Sequence, residues 1–390
     1  MNLKISQTKL HPICVASINI FRQMKNYWVL TIILFFSLCL SCKDEGDKKI
    51  VPKAKKITSF KPLIKKNTSE KERLSEYEFF KLPLANLEPT DKVVLYDLNT
   101  PLFSDYAFKK RFVYLPDSSK IRYKNKGVMD FENGSVLIKN FYYPKDFRKP
   151  NQEKRIIETR LLIKENNNWK PLNYVWNAEQ TDAKLNYIGK EEQVHWTDNT
   201  GKKRAVSYTV PNLNQCKNCH LKGKKITPIG PTAAQWNKTY ALAHTDKNQL
   251  DYFNEKGILE KVIEPALRPK MPVWNDALLP VDHRAKAYLD VNCAHCHNVE
   301  GSAKNSGLYL SYAQEDSRKR GVFKPPVAAG KGSGDLVYDI VPGHPEKSIL
   351  IYRMKSNDPS IRMPEIGRSM AHREGLDLLE KYITKLAQSN

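Results

Sequence analysis

The chain has 390 residues, with 64 Lys plus Arg against 42 Asp plus Glu and a formal net charge of +22. That surplus suits acidic protein partners or anionic lipid headgroups, although much of it is solvated lysine. Of seven cysteines, Cys14, Cys39 and Cys42 lie near the N-terminus and four form two Cys-x-x-Cys pairs. No cysteine of the body is therefore left over to build a disulfide framework around.

Residues 1–23 are mixed, and Met24 offers an alternative start. Met24-Lys25-Asn26-Tyr27 is a short basic head, followed by an apolar run from Trp28 to Leu38. The run is short for a membrane span and reads as the apolar part of a signal peptide over 1–41. Ser41 before Cys42 resembles the lipoprotein signal, with Cys42 as the lipidated first residue. Cys39 departs from the Leu usual in that signal. A plain signal peptide or a retained anchor are the competing readings. Lys43-Asp44-Glu45 resembles the tether that sends some gram-negative lipoproteins to the outer surface. Residues 42–75 are polar and lysine-rich, as expected of a disordered spacer. Periplasm or outer membrane is the expected location, lipid-anchored and facing no nucleic acid.

Residues 76–212 change character. Val93–Tyr96, Lys110–Leu115, Ser135–Tyr143, Glu158–Ile163, Tyr174–Trp176, Gln193–Trp196 and Ala205–Val210 are short, β-branched and aromatic. Pro116-Asp117, Glu132-Asn133-Gly134 and Asn166-Asn167-Asn168 punctuate them as turns. The pattern predicts a β-rich domain. Gly134–Lys139 resembles a strand in cytochromes whose haem is cross-linked to a lysine, and the simpler reading makes Lys139 a strand-surface lysine.

The remainder is organised by Cys216-Lys217-Asn218-Cys219-His220 and Cys293-Ala294-His295-Cys296-His297. Cys-x-x-Cys-His is the attachment pattern of c-type haem. Two thiols add to the two vinyl groups, and the adjacent imidazole can reach the iron. A zinc site normally places its Cys pairs about 15–20 residues apart, much closer than these. A redox dithiol has no need of His at the same offset twice. The expected cofactors are two covalently bound haem c groups, on Cys216, Cys219, Cys293 and Cys296, with His220 and His297 as proximal iron ligands.

Residues 213–275 form the expected first haem module and 276–390 the second. Helical spacing runs through Ala233, Trp236, Tyr240, Ala241 and His244, and again through Leu250, Phe253, Ile258 and Leu259. Lys270-Met271-Pro272 offers Met271 as distal ligand of the first iron, with His244 its rival. Ile361-Arg362-Met363-Pro364 offers Met363 for the second, with Met354 as rival. A thioether is a soft neutral donor that favours ferrous iron. An amphipathic helix from Glu374 to Leu386 closes the chain.

The second module resembles a class I cytochrome c domain. Residues 90–386 as a whole resemble a family of exported di-haem c-type cytochromes. The resemblance rests on Pro101–Ala107, Glu158–Leu162, Asn214–Cys216, Arg284–Leu289 and Arg362–Arg368. It implies two covalent haems and electron transfer. The expected fold is α+β, a β-rich N-terminal domain followed by mainly α-helical cytochrome c modules. The expected function is electron passage between a partner dehydrogenase or oxidase and the respiratory chain. A redox partner protein and the membrane, through the lipid anchor, are the implied partners. The alternative is a di-haem peroxidase or oxidase acting on a small substrate at one open haem. Haems as structural staples are the least economical reading.

Overall fold

The computed structural model describes residues 70–388, which fall in one compact unit. The export segment, Cys42 and most of the tether lie outside the described residues. Residues 71 and 74, inside the expected spacer, already bond to strands of the folded part. Leu74 is buried, its N–H bonds Ala183 O at 2.9 Å, and Tyr174 Oη donates to Lys71 O at 2.8 Å.

Six strands form an antiparallel sheet: β1 Val93–Tyr96, β2 Phe108–Tyr114, β3 Val136–Pro144, β4 Lys154–Glu165, β5 Asn168–Trp176 and β6 Ala183–Leu185, paired in chain order. Between β4 and β5 sit only Asn166 and Asn167, both with positive φ (49° and 58°). A two-residue loop of that hand matches the strand twist, and asparagine tolerates the left-handed backbone. One face of the sheet carries Phe112, Ile138, Leu161 and Ile163 under Leu74, Phe79, Phe80 and Leu87. The other carries Val113, Leu137 and Trp169 against Trp236, Leu250, Phe253 and Leu259. Covering both faces explains the unbroken apolar run Val136-Leu137-Ile138. A hairpin, β7 Lys190–Thr197 and β8 Lys203–Val210, packs Trp196 and Tyr208 on Phe141 and Tyr143.

The expectation of mainly α-helical modules after the β-rich part is overturned. The described residues are 24% helix and 25% strand, and the largest element among them is the six-stranded sheet. The helices are short: α1 Leu213–His220, α2 Ala233–Trp236, α3 Gln249–Glu255, α4 Val281–Leu289, α5 Ile349–Lys355 and α6 Arg373–Leu386. The apolar spacing from Ala233 to His244 belongs to one helical turn and a 3-10 turn, split at Asn237. Gly257, at φ 69°, follows α3, and Leu259–Glu260 then pairs in parallel with Ile121–Arg122. Helix-like periodicity here comes from short segments that each bury a side chain against the sheet. The same burial joins Trp236 and Phe253 to Tyr96 in one core.

Near the C-terminus α4 and α6 pack through Tyr288, Leu289, Leu376, Leu379 and Ile383. The contact is close at Gly375, where an added Cβ would lie 2.4 Å from the Tyr288 hydroxyl oxygen. Beyond α4 the backbone widens into a π-helical stretch, Asp290–Ala294, that delivers Cys293. Such insertions recur at functional sites.

Candidate functional site

The first Cys-x-x-Cys-His motif is built on α1. Asn212 caps it: the Gln215 N–H donates to Asn212 Oδ1 and the Asn212 N–H to Gln215 Oε1, both at 2.9 Å. Helical spacing then places Cys216, Cys219 and His220 on one face, and all three line a cavity. The two-residue strands Leu221–Lys222 and Lys225–Ile226 turn the chain back, bringing Thr227 O to 2.9 Å from His220 Nδ1. With Nδ1–H donating to that carbonyl, Nε2 keeps its lone pair for a metal. Burial, opposed by the Thr227 contact, pulls the His220 imidazole down to about 4, so it stays neutral.

The cavity holds about 1470 Å³ of atom-free space, part of it open to solvent. The sheet supplies one wall, with Arg111, Lys139 and Arg160. The second half of the chain supplies Tyr288, Asn292, His295, Met354 and Met363.

The second motif is anchored differently. Gly301 sits where a Cβ would come 2.2 Å from Cys296 O, so the chain can turn tightly under the motif only with glycine. His297 Nδ1 lies 3.2 Å from Ser306 Oγ, and burial lowers its basicity. Burial also pushes the Cys293 thiol up to about 12. Cys293, Cys296 and His297 are not among the residues lining the cavity, whereas His295 between them is.

The two motifs touch. Cys219, His295 and Cys296 present ligand atoms within 4.8 Å of one another. Cys296 Sγ also reaches Asn218 O at 3.8 Å, and the Gly223 N–H donates to Glu300 O at 2.9 Å. Its hydrogen bond to Cys296, with burial, raises the Cys219 thiol.

The candidate distal methionines separate. Met363 lines the cavity, its N–H on Arg353 O at 3.1 Å and its carbonyl gripped by Arg368 Nε and Nη2 at 3.0 and 2.8 Å. Met271 is buried, its N–H on Ala234 O at 2.9 Å, and is not among the cavity-lining residues. His244 is likewise absent from the lining. Lys139 is not a surface lysine: it faces the cavity, and burial beside Arg111 holds its amine well below the usual lysine range.

Several residues of the site stood out by no motif. Arg111 and Arg368 are each 5% exposed. Among the described residues, Arg111 Nη2, Arg368 Nη1 and His295 Nδ1 are buried with no hydrogen-bond partner. His372 stacks on Phe103 at 4.1 Å, and its Nδ1 lies 3.0 Å from Tyr288 Oη. Asp105 accepts from Ser369 N and Met370 N at 2.7 and 2.9 Å, tying the stretch 101–107 to the loop after Met363.

The donor set of the first motif fits a haem: two thiols and an imidazole whose Nδ1 is turned to Thr227 O share one wall of the cavity, and the guanidinium groups of Arg111 and Arg368, each with an orphaned nitrogen, line it and match propionate carboxylates. No helix among the described residues is long and apolar enough to cross a membrane. No family model, curated protein or solved structure matches the chain.

Proposed function

We propose that the chain is an exported c-type cytochrome with two covalently bound haems. On this reading it passes electrons between a partner dehydrogenase or oxidase and the respiratory chain. The observation that carries the reading is His220, whose Nδ1 is committed to Thr227 O while Cys216 and Cys219 line the same cavity. The haems would supply iron cycling between ferrous and ferric states. Cys216, Cys219, Cys293 and Cys296 would hold them through thioether bonds, and His220 and His297 would bind iron through Nε2. Met363 is the methionine proposed as a distal donor, and the Arg368 grip on its carbonyl fixes its loop. Apolar residues such as Leu98, Leu137 and Ile229 exclude water from the cavity wall. Export by the segment before Cys42, a lipid on Cys42 and a periplasmic or outer-membrane location belong to the same proposal.

A second reading has one observation in its favour. Met271 lies off the cavity, which leaves Met363 and Met354 as its lining thioethers, and an iron that neither of them closes could bind a small substrate. Electron paramagnetic resonance of the oxidised protein, with and without cyanide, separates the two. Low-spin signals indifferent to cyanide support the carrier. A high-spin signal that cyanide converts supports an enzyme, with peroxide the first substrate to try.

The Cys219–His295–Cys296 group raises a different chemistry, a bound metal ion in place of haem. Metal analysis beside a haem assay decides it: stoichiometric zinc without haem would displace the proposal.

A further inference from the structure

Arg111, Lys139 and Arg160 stand side by side across three strands. Register pairs Arg111 of β2 with Lys139 of β3, and Lys139 with Arg160 of β4. All three line the cavity. Like charges directly opposite one another destabilise a sheet, and burial makes an unpaired charge costlier still.

The row is only partly neutralised. Arg160 has a full partner in buried Glu158, which also accepts from Tyr208 Oη at 2.6 Å. Among the described residues Arg111 pairs with Asp97 alone, 3.9 Å from Nη1, and its buried Nη2 has no hydrogen-bond partner. Lys139 Nζ lies 4.7 Å from the Phe141 ring centroid and forms no ion pair among the described residues. Asn173, next along the row, leaves a buried Oδ1 unsatisfied. Arg111 is buried and Lys139 and Arg160 are half-buried, so the row lines the cavity with more positive charge than Glu158 and Asp97 balance, and a buried donor such as Arg111 Nη2 calls for a partner.

We propose that Arg111, Lys139 and Arg160 form an anion-binding wall, which holds a carboxylate or small oxyanion inside the cavity that also contains Cys216, Cys219 and His220. Two sources carry that chemistry: a propionate of a bound haem, or a free anion that enters as substrate or effector. Only the first source rests on the haem reading.

The test uses the exported full chain in buffer free of small carboxylates, with formate as probe. Two variants are compared with wild type: Arg111→Gln and Lys139→Met. Lys139→Met keeps the side-chain length and removes a basic group with no ion-pair partner among the described residues, so it should fold at least as well as wild type. If the anion is free, calorimetry shows saturable formate binding, weakened on the order of tenfold or more in each variant. If the anion is a propionate, formate does not bind, and the haem midpoint potential falls in both variants because a carboxylate has lost its counter-charge. Either result supports the wall. Absence of formate binding together with an unchanged midpoint in both variants overturns it. A haem-free chain that still binds formate through Arg111 would sink the haem reading and leave the wall standing. A chain loaded with two haems that shows neither effect would do the reverse.

Discussion

Cys219 of the first motif and Cys296 of the second lie within 4.8 Å of each other, although the whole of α2, α3 and α4 separates them in sequence. Each is the second cysteine of its motif. Groups attached there would share a boundary, and a charge change on one would be felt by the other across a short path. Removal of the second attachment site by Cys293→Ala with Cys296→Ala should therefore shift the midpoint potential of the first haem. Spectroelectrochemical titration checks this, and an unmoved midpoint would separate the two centres.

The methionines make opposite predictions. Met363→Ala should abolish the weak methionine-to-ferric charge-transfer band at the red edge of the visible spectrum. Met271→Ala should leave that band and both potentials unchanged, because Met271 is off the cavity, and should cost about 2–5 kcal/mol of stability as a buried large-to-small change. A lost band in Met271→Ala would restore it as a ligand.

His372 predicts a pH dependence. Burial lowers its imidazole to about 4, opposed by nearby Glu374. The unfolded chain takes up the proton near pH 6.5, and the folded chain resists it. The associated stability is fully present above about pH 6.5 and is lost as pH falls from there through about 4, of order 3 kcal/mol. Thermal melts of wild type and His372→Gln between those values should differ in slope, with the wild type falling faster. Parallel curves would remove His372 from the account.

Gly375 gives a packing prediction. A Cβ there would meet the Tyr288 hydroxyl oxygen at 2.4 Å, and the Tyr288 ring is itself wedged beside Trp274 and His372. Gly375→Ala must push α4 from α6 and should destabilise by about 1–3 kcal/mol, read as a lower Tm. An unchanged Tm would mean the helices have room to part.

Much of the sheet was legible because β-branched runs and paired turn residues are local signals. β3, β4 and the Asn166–Asn167 loop fall where β-branched and aromatic runs and turn chemistry predict them. Spacing singled out the four motif cysteines, and the structure brings the two motifs together at Cys219 and Cys296. The helical modules were misread because Trp236, Phe253 and Leu259 repeat at helix-like intervals, yet each is buried by a separate short element. The cationic wall was hidden for a related reason. Lys110 and Arg111 are adjacent, and only strand register shows which one faces the cavity. Lys139 looked like a solvated lysine, although it shares strand parity with buried Leu137 and Phe141. That parity was the available signal. His295 was overlooked because it occupies a position of its motif that the haem pattern leaves free.

The most direct test of the central claim is an intact mass of the exported chain, combined with a pyridine haemochrome assay and peptide mapping. The account predicts two covalent haems per chain, one on Cys216 and Cys219 and one on Cys293 and Cys296. A chain with the mass of the unmodified polypeptide and four free or metal-bound thiols would contradict it.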